Sequence, residues 1–262
     1  MGKLAIAALC VTVWADTALA CSIPLQPTRT AFVATVRIGS EGPLRFLVDT
    51  GATTTVIDRV VARRIGLQPS RVLSAITTTG QLDVQEGVVD ELSAGTVSAV
   101  RASVLVTDLP SFPHHGHLDG ILGMNFFAGH SMRFDIGRRC VELDVEPPRG
   151  VALEAHEVAG RVAAEIEGLN FVVDSGASFP VLMSPAARAL GSQDGAVVIT
   201  SAGGRRLLTA ATIPRLRIGG MTFRDVAVVL APARDHREDG LLPITLFESI
   251  YFAADRKIVV IR

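Results

Sequence analysis

From about residue 31 onward, apolar and polar positions alternate in short runs that Gly and Pro interrupt, the period-two signature of half-buried strands. Segments 30–38 (TAFVATVRI), 44–49 (LRFLVD), 97–108 (VSAVRASVLVTD) and 140–145 (CVELDV) are rich in Val, which suits a pleated surface. Helical spacing is confined to two brief stretches, 58–67 (DRVVARRIGL) and 184–191 (SPAARALG), each with a Gly at or beside its end. Two prolines in 145–150 (VEPPRG) break the pattern and mark a linker. The expected fold is all-β, mostly strand with short helices.

The pattern then repeats. FLVDTGATTT at 46–55 returns as FVVDSGASFP at 171–180, each an apolar run that ends on Asp, a small hydroxyl residue, Gly and Ala. Turn-rich TTTGQ (77–81) is followed in the second half by TSAGG (200–204), with Gly80 set against Gly203. DGILGMNFF, from Asp119, is echoed by DGLLPITLF, from Asp239. MRFDIGRRCVELDV is echoed by IYFAADRKIVVIR, with Asp135 set against Asp255. Four landmarks in one order describe a duplicated unit of roughly 110 residues.

These residues resemble the aspartic peptidases, in detail the retroviral (retropepsin-like) branch, over essentially all of 31–262. The resemblance implies two related lobes forming a bilobed double-β-barrel, with a cleft between them and one catalytic Asp from each, Asp49 and Asp174. Two carboxylates brought to about 3 Å cannot both ionise, so they share a proton and their apparent pKa values split. One form takes a proton from a water held between them; the other donates to the scissile amide. Gly51 and Gly176 are expected to permit a tight turn whose amides face the carboxylates. By resemblance, Thr50 and Ser175 lock the two loops together. Ala52 and Ala177 stand where pepsin-like enzymes carry another hydroxyl, so a milder pH optimum than that of digestive enzymes is expected. The hairpins suggest two flaps, Thr78–Thr79–Gly80 and Ser201–Ala202–Gly203, that clasp an extended peptide by strand addition. Neither carries the tyrosine usual in pepsin-like flaps. Pro243, in place of Gly123, removes a donor beneath the second Asp loop. It keeps open an alternative: a catalytically weak or inactive peptide-binding envelope protein that retains the fold.

Composition alters this little. With 48% apolar and 19% charged residues the chain is an ordinary globular protein, and a net charge of −1 offers nucleic acid nothing to bind. The paired arginines at 63–64 and 205–206 read as solvated positions, and the aromatics of FFAGHSMRF as packing at a lobe base. No cofactor is called for, and fusion of both lobes in one chain implies a monomer. The His114, His115 and His117 cluster lacks a fourth ligand and the matching loop holds only His236, so a solvated loop rather than a metal site is expected there.

The first twenty residues read differently. Lys3, a twelve-residue apolar run (LAIAALCVTVWA) and an Ala-x-Ala site at Ala18 and Ala20 describe a cleavable export signal. Cleavage would make Cys21 the first residue, open to lipid attachment and so to a membrane anchor, or to pairing with Cys140 in an oxidising compartment. The domain plan is 1–20 signal peptide, 21–30 N-terminal segment, 31–146 first lobe, 147–152 linker and 153–262 second lobe, in a periplasmic or secreted protein.

Overall fold

The computed structural model describes residues 21–28, 31–113, 116–232 and 236–262. The expected signal segment 1–20, with His114 and His115, lies outside the described residues. Twenty strands and two short helices account for most of the described chain, and the two halves match strand for strand. The first half opens with β1 (Ile23–Pro27), β2 (Phe32–Ile38), β3 (Glu41–Val48), β4 (Thr55–Asp58) and α1 (Arg59–Arg64). It continues with β5 (Val72–Thr77), β6 (Gly80–Ala94), β7 (Val97–Thr107), β8 (Gly120–Leu122), β9 (Met132–Asp135) and β10 (Cys140–Leu143). In the same order the second half has β11 (Val151–Val158), β12 (Arg161–Ile166), β13 (Leu169–Asp174), β14 (Val181–Leu182) and α2 (Pro185–Arg188). After these come β15 (Ser192–Ser201), β16 (Gly204–Ile218), β17 (Met221–Leu230), β18 (Gly240–Pro243), β19 (Ser249–Phe252) and β20 (Ile258–Ile261).

Six antiparallel strands run in the order β1, β10, β9, β19, β20, β11 and join the halves. Its centre is the β9–β19 pair, where Phe134 faces Ile250 and Met132 faces Phe252. Above this base one apolar core is continuous across both halves, with Phe46, Phe127 and Phe134 contributed by one and Phe171, Val173 and Phe252 by the other. Phe134 and Phe252 meet edge to face at 6.1 Å, and Phe126 and Phe127 at 5.2 Å, so the aromatics of 126–134 are packing residues as expected.

The strands that end in the two aspartates occupy matching central places. β3 lies between antiparallel β2 and parallel β8; β13 lies between antiparallel β12 and parallel β18. A strand flanked on both edges and packed on both faces must be apolar throughout its end, as Phe46, Leu47, Val48 and Phe171, Val172, Val173 are. The Asp-Gly landmarks gain structural reasons. Asp119 Oδ2 accepts from the Arg45 amide and Asp239 Oδ2 from the Asn170 amide, both at 2.8 Å. Each following Gly passes so close beneath its neighbours that a Cβ would lie 2.3 Å from the Phe46 ring at Gly120, or 2.2 Å from the Val181 carbonyl at Gly240.

Register corrects two of the sequence pairings. Phe134 faces Val141 as Phe252 faces Val259, so Asp135 corresponds to Ala253 and not to Asp255. Gly80 closes its hairpin against Thr77 as Gly204 does against Ser201, so its counterpart is Gly204 and not Gly203. One-residue and two-residue offsets of this kind are invisible where turns differ in length. β1 also has a counterpart: it occupies the place in the joining sheet that β11 takes on the opposite side.

Candidate active site

Asp49 and Asp174 stand at the ends of β3 and β13, where the lobes face each other. Each carboxyl influences the other's pKa, and each closely approaches the glycine of the opposite loop. Each inner oxygen is held by two backbone amides of its own loop: Asp49 Oδ1 by Gly51 (2.8 Å) and Ala52 (3.1 Å), Asp174 Oδ1 by Gly176 (2.7 Å) and Ala177 (3.0 Å). Burial raises the pKa of both carboxyls, and in Asp49 the neighbouring Asp174 charge raises it further. The amide bonds oppose that rise in both. Both shifts favour a pair that holds one proton between two carboxyls, the state a dyad requires.

The loop amides face the carboxylates as expected, and the two glycines have a second role. Neither Gly51 nor Gly176 has a left-handed φ. A Cβ at Gly51 would lie 2.5 Å from Asp174 Oδ2, and one at Gly176 would lie 2.7 Å from Asp49 Cγ. Each glycine makes room for the carboxyl of the opposite lobe.

Thr50 and Ser175, both buried, interlock the loops as expected. Thr50 Oγ1 donates to the Val173 carbonyl (2.6 Å) and accepts from the Ser175 amide (3.0 Å). Ser175 Oγ donates to the Val48 carbonyl (2.7 Å) and accepts from the Thr50 amide (3.0 Å). Four hydrogen bonds through two hydroxyls, each using its donor and an acceptor, fix one lobe's Asp loop to the other's.

Beneath these loops the lobes diverge. In the first, Thr55 Oγ1 accepts from the Gly123 amide (3.2 Å), and both Thr55 N and Oγ1 donate to Asn125 Oδ1 (2.8 and 2.9 Å). In the second, the places of Thr55 and Gly123 are taken by Pro180 and Pro243. Pro243 lacks the donor, and Pro180 lacks both the hydroxyl that would accept from it and the amide that would need Asn125. The polar brace is replaced as a set, and among the described residues no buried side-chain polar atom is left without a partner. The missing donor at Pro243 leaves no orphan acceptor.

The tips of the two hairpins expected to act as flaps meet each other. β5–β6 turns at Thr78–Thr79 and β15–β16 turns at Ala202–Gly203. Thr79 Oγ1 and Ser201 Oγ are 2.6 Å apart, and Gly203 packs so tightly on Thr77 that a Cβ would fall 2.4 Å from its hydroxyl. Arg206 is exposed, as expected of a solvated position, and it also crosses to the first hairpin and donates to the Thr79 carbonyl (2.8 Å). Sequence reasoning missed this contact because it depends on how the two hairpins meet.

Of the two fates left open for Cys21, the structure has the pairing: Cys21 and Cys140 form a disulfide, with Cα atoms 5.6 Å apart. His236 is buried: its ring bonds Glu238 at 2.9 Å, and Arg161 holds the same carboxylate with two bonds of 2.9 and 2.8 Å. No signal in the loop sequence distinguished this residue from the exposed His117 of the first lobe's loop.

Two carboxyls from duplicated strand–turn units, interlocked loops and paired hairpins above them define the fold of a bilobed, retropepsin-like aspartic peptidase. The sequence profile described as Aspartyl protease matches residues 34–126 and 158–245, once in each lobe, and the chain belongs to that family. No curated protein matches the chain.

Proposed function

We propose that this protein is an exported aspartic endopeptidase that hydrolyses peptide bonds with the Asp49–Asp174 dyad. The reading rests on one observation: carboxyls from separate lobes meet on loops that are bonded to each other, each inner oxygen anchored by two amides. A water held between the outer oxygens loses a proton to the ionised carboxyl and attacks the carbonyl. The protonated carboxyl donates to the developing oxyanion or to the leaving amine. The substrate lies extended between the dyad and the flaps, bonding through its main chain to strands near Thr78–Gly80 and Ser201–Gly203. A cavity of about 220 Å³ beside the first flap, lined in part by Ile76, Thr78, Pro232 and His236, takes one substrate side chain.

Export is supported by the Lys3–Ala20 segment and by the Cys21–Cys140 disulfide, a bond that persists in oxidising compartments. The protein acts as a monomer, free of a lipid on Cys21. The alternative of an inactive binding protein drew on Pro243, and its pairing with Pro180 removes that support.

The test is cleavage of a mixture of unfolded proteins. The wild type cleaves it, a pepstatin-type transition-state analogue blocks the cleavage, and Asp49→Asn abolishes it. Cleavage indifferent to both rejects the dyad.

A further inference from the structure

The dyad is built symmetrically, but its surroundings are not. In the antiparallel β12–β13 hairpin, Ala163 faces Val172, and the same register carried to the end of the hairpin sets Arg161 across from Asp174. The corresponding place in the first lobe, across from Asp49, belongs to Ala31, since Val33 faces Leu47. Glu238, which binds Arg161, precedes Asp239 as Leu118 precedes Asp119. Ala31 and Leu118 both lie in one apolar cluster of the first lobe. The second lobe replaces that apolar pair with a charged one, and places it beside only one of the two carboxylates.

We propose that Arg161 is a positioning residue for the dyad: held in place by Glu238 and His236, its charge makes the two carboxylates unequal and keeps the negative charge on Asp174, leaving Asp49 to carry the proton. The assignment rests on the peptidase reading for its consequence, but not for its test.

Geometry fixes the charge where it is needed. Arg161 is mostly buried and bound through both terminal nitrogens to Glu238, whose side chain is fully buried. A bidentate pair of this kind holds the guanidinium in one orientation. Burial alone would raise Glu238. Hydrogen bonds from His236 and Arg161, with the Arg161 charge, overcome it and hold this carboxyl at about 2. The ion pair therefore persists throughout the range in which the dyad titrates. The charged groups acting on Asp174 are Asp49 from the opposite loop and Arg161 from β12, with Glu238 and His236 gathered around Arg161. Burial raises Asp174, while the Gly176 amide, the bond from Asp49, the Ala177 amide and, least of these, the Arg161 charge pull it back. Asp49 has no cation among its influences and is raised well above the ordinary carboxylate range by burial and by Asp174.

The test uses the two lobes against each other and needs no turnover. Asp49→Asn leaves Asp174 as the lone carboxyl, and Asp174→Asn leaves Asp49. Each is followed by carbon-13 NMR of its carboxyl through a pH titration. Asp174 alone is expected to titrate at the lower pH. Replacing the charged pair with the first lobe's own solution, Arg161→Ala with Glu238→Leu, should raise the Asp174 midpoint by about half a pH unit or more. Arg161→Lys keeps the charge and should restore most of the difference. In the chain with both aspartates, the acid limb of kcat/KM should move up in the same direction. Equal midpoints for the two lone carboxyls overturn the proposal, as does a folded double variant whose midpoint stays put. Should the double variant not fold, the lone-carboxyl comparison and Arg161→Lys still decide. A chain that cleaves nothing yet shows the shift would sink the peptidase reading and leave the role of Arg161 standing. Cleavage with an unmoved midpoint does the reverse.

Discussion

The first lobe supports its catalytic loop with polar contacts and leaves the flank of its Asp apolar; the second lobe does the opposite. Under Asp49, Thr55, Asn125 and the Gly123 amide form a hydrogen-bonded brace, while Ala31 and Leu118 are buried among apolar neighbours. Under Asp174, two prolines stand where the brace was, while Arg161, Glu238 and His236 form a buried charged cluster at the flank. The lobes share strand order, the amide pairs on each carboxyl and the hydroxyl interlock. Duplication thus preserves what the chemistry at the centre needs. Around it, each lobe needs only that every buried donor and acceptor be matched, and polar or apolar sets meet that condition equally well.

This difference can be broken in several places. The largest effect is expected from Arg161→Ala alone, which strands the buried Glu238 carboxylate and should cost about 3–5 kcal/mol. Adding Glu238→Leu should recover most of that loss, as denaturant unfolding of the single and double variants will show. Next is Cys140→Ser. It opens a closed loop spanning 119 residues and should cost about 3–4 kcal/mol under the same assay. A smaller contrast separates the two braces. Asn125→Ala leaves the Thr55 amide and hydroxyl unmatched and should cost about 1–3 kcal/mol. The equivalent Thr245→Ala, at an exposed site facing no donor on Pro180, should stay within about 0.5 kcal/mol.

The smallest effect has the opposite sign. The Asp49 carboxyl is raised in the folded state, so it binds its proton more tightly there than in the unfolded chain. Ionisation above the ordinary carboxylate range therefore favours unfolding, and stability falls as pH rises from that range toward the folded value. Asp49→Asn removes the penalty. Its melting temperature should exceed that of the wild type at pH 7 by a few degrees, and the gain should vanish in acid.

Much of this was legible in the sequence because duplication writes its landmarks twice. Strand alternation, the Asp-Thr-Gly-Ala and Asp-Ser-Gly-Ala turns and the Asp-Gly strands all reflect local demands: a flanked strand, a tight approach, a captured amide. What the sequence did not disclose depends on residues far apart. The use of Gly51 and Gly176 as clearance for the opposite carboxyl arises only when the lobes meet. Arg206 crossing to Thr79 depends on the angle between two hairpins, and Pro243 reads as a defect until Pro180 is seen to remove the matching acceptor. His236 and Arg161 lie 75 residues apart, in a loop and a strand start that carry no shared motif, so their meeting at Glu238 had no signal at all.

The account stands on the two aspartates working as one unit. The most direct measurement is the rate of peptide cleavage by Asp49→Asn, Asp174→Asn and the double variant, side by side with the wild type. Groups that act together are not additive, so all three should be equally inactive, at least about 1000-fold below wild type if proton transfer and water activation are both lost. A single variant that keeps a substantial fraction of the activity, with the double variant lower still, would mean that the carboxyls act separately and would contradict the dyad.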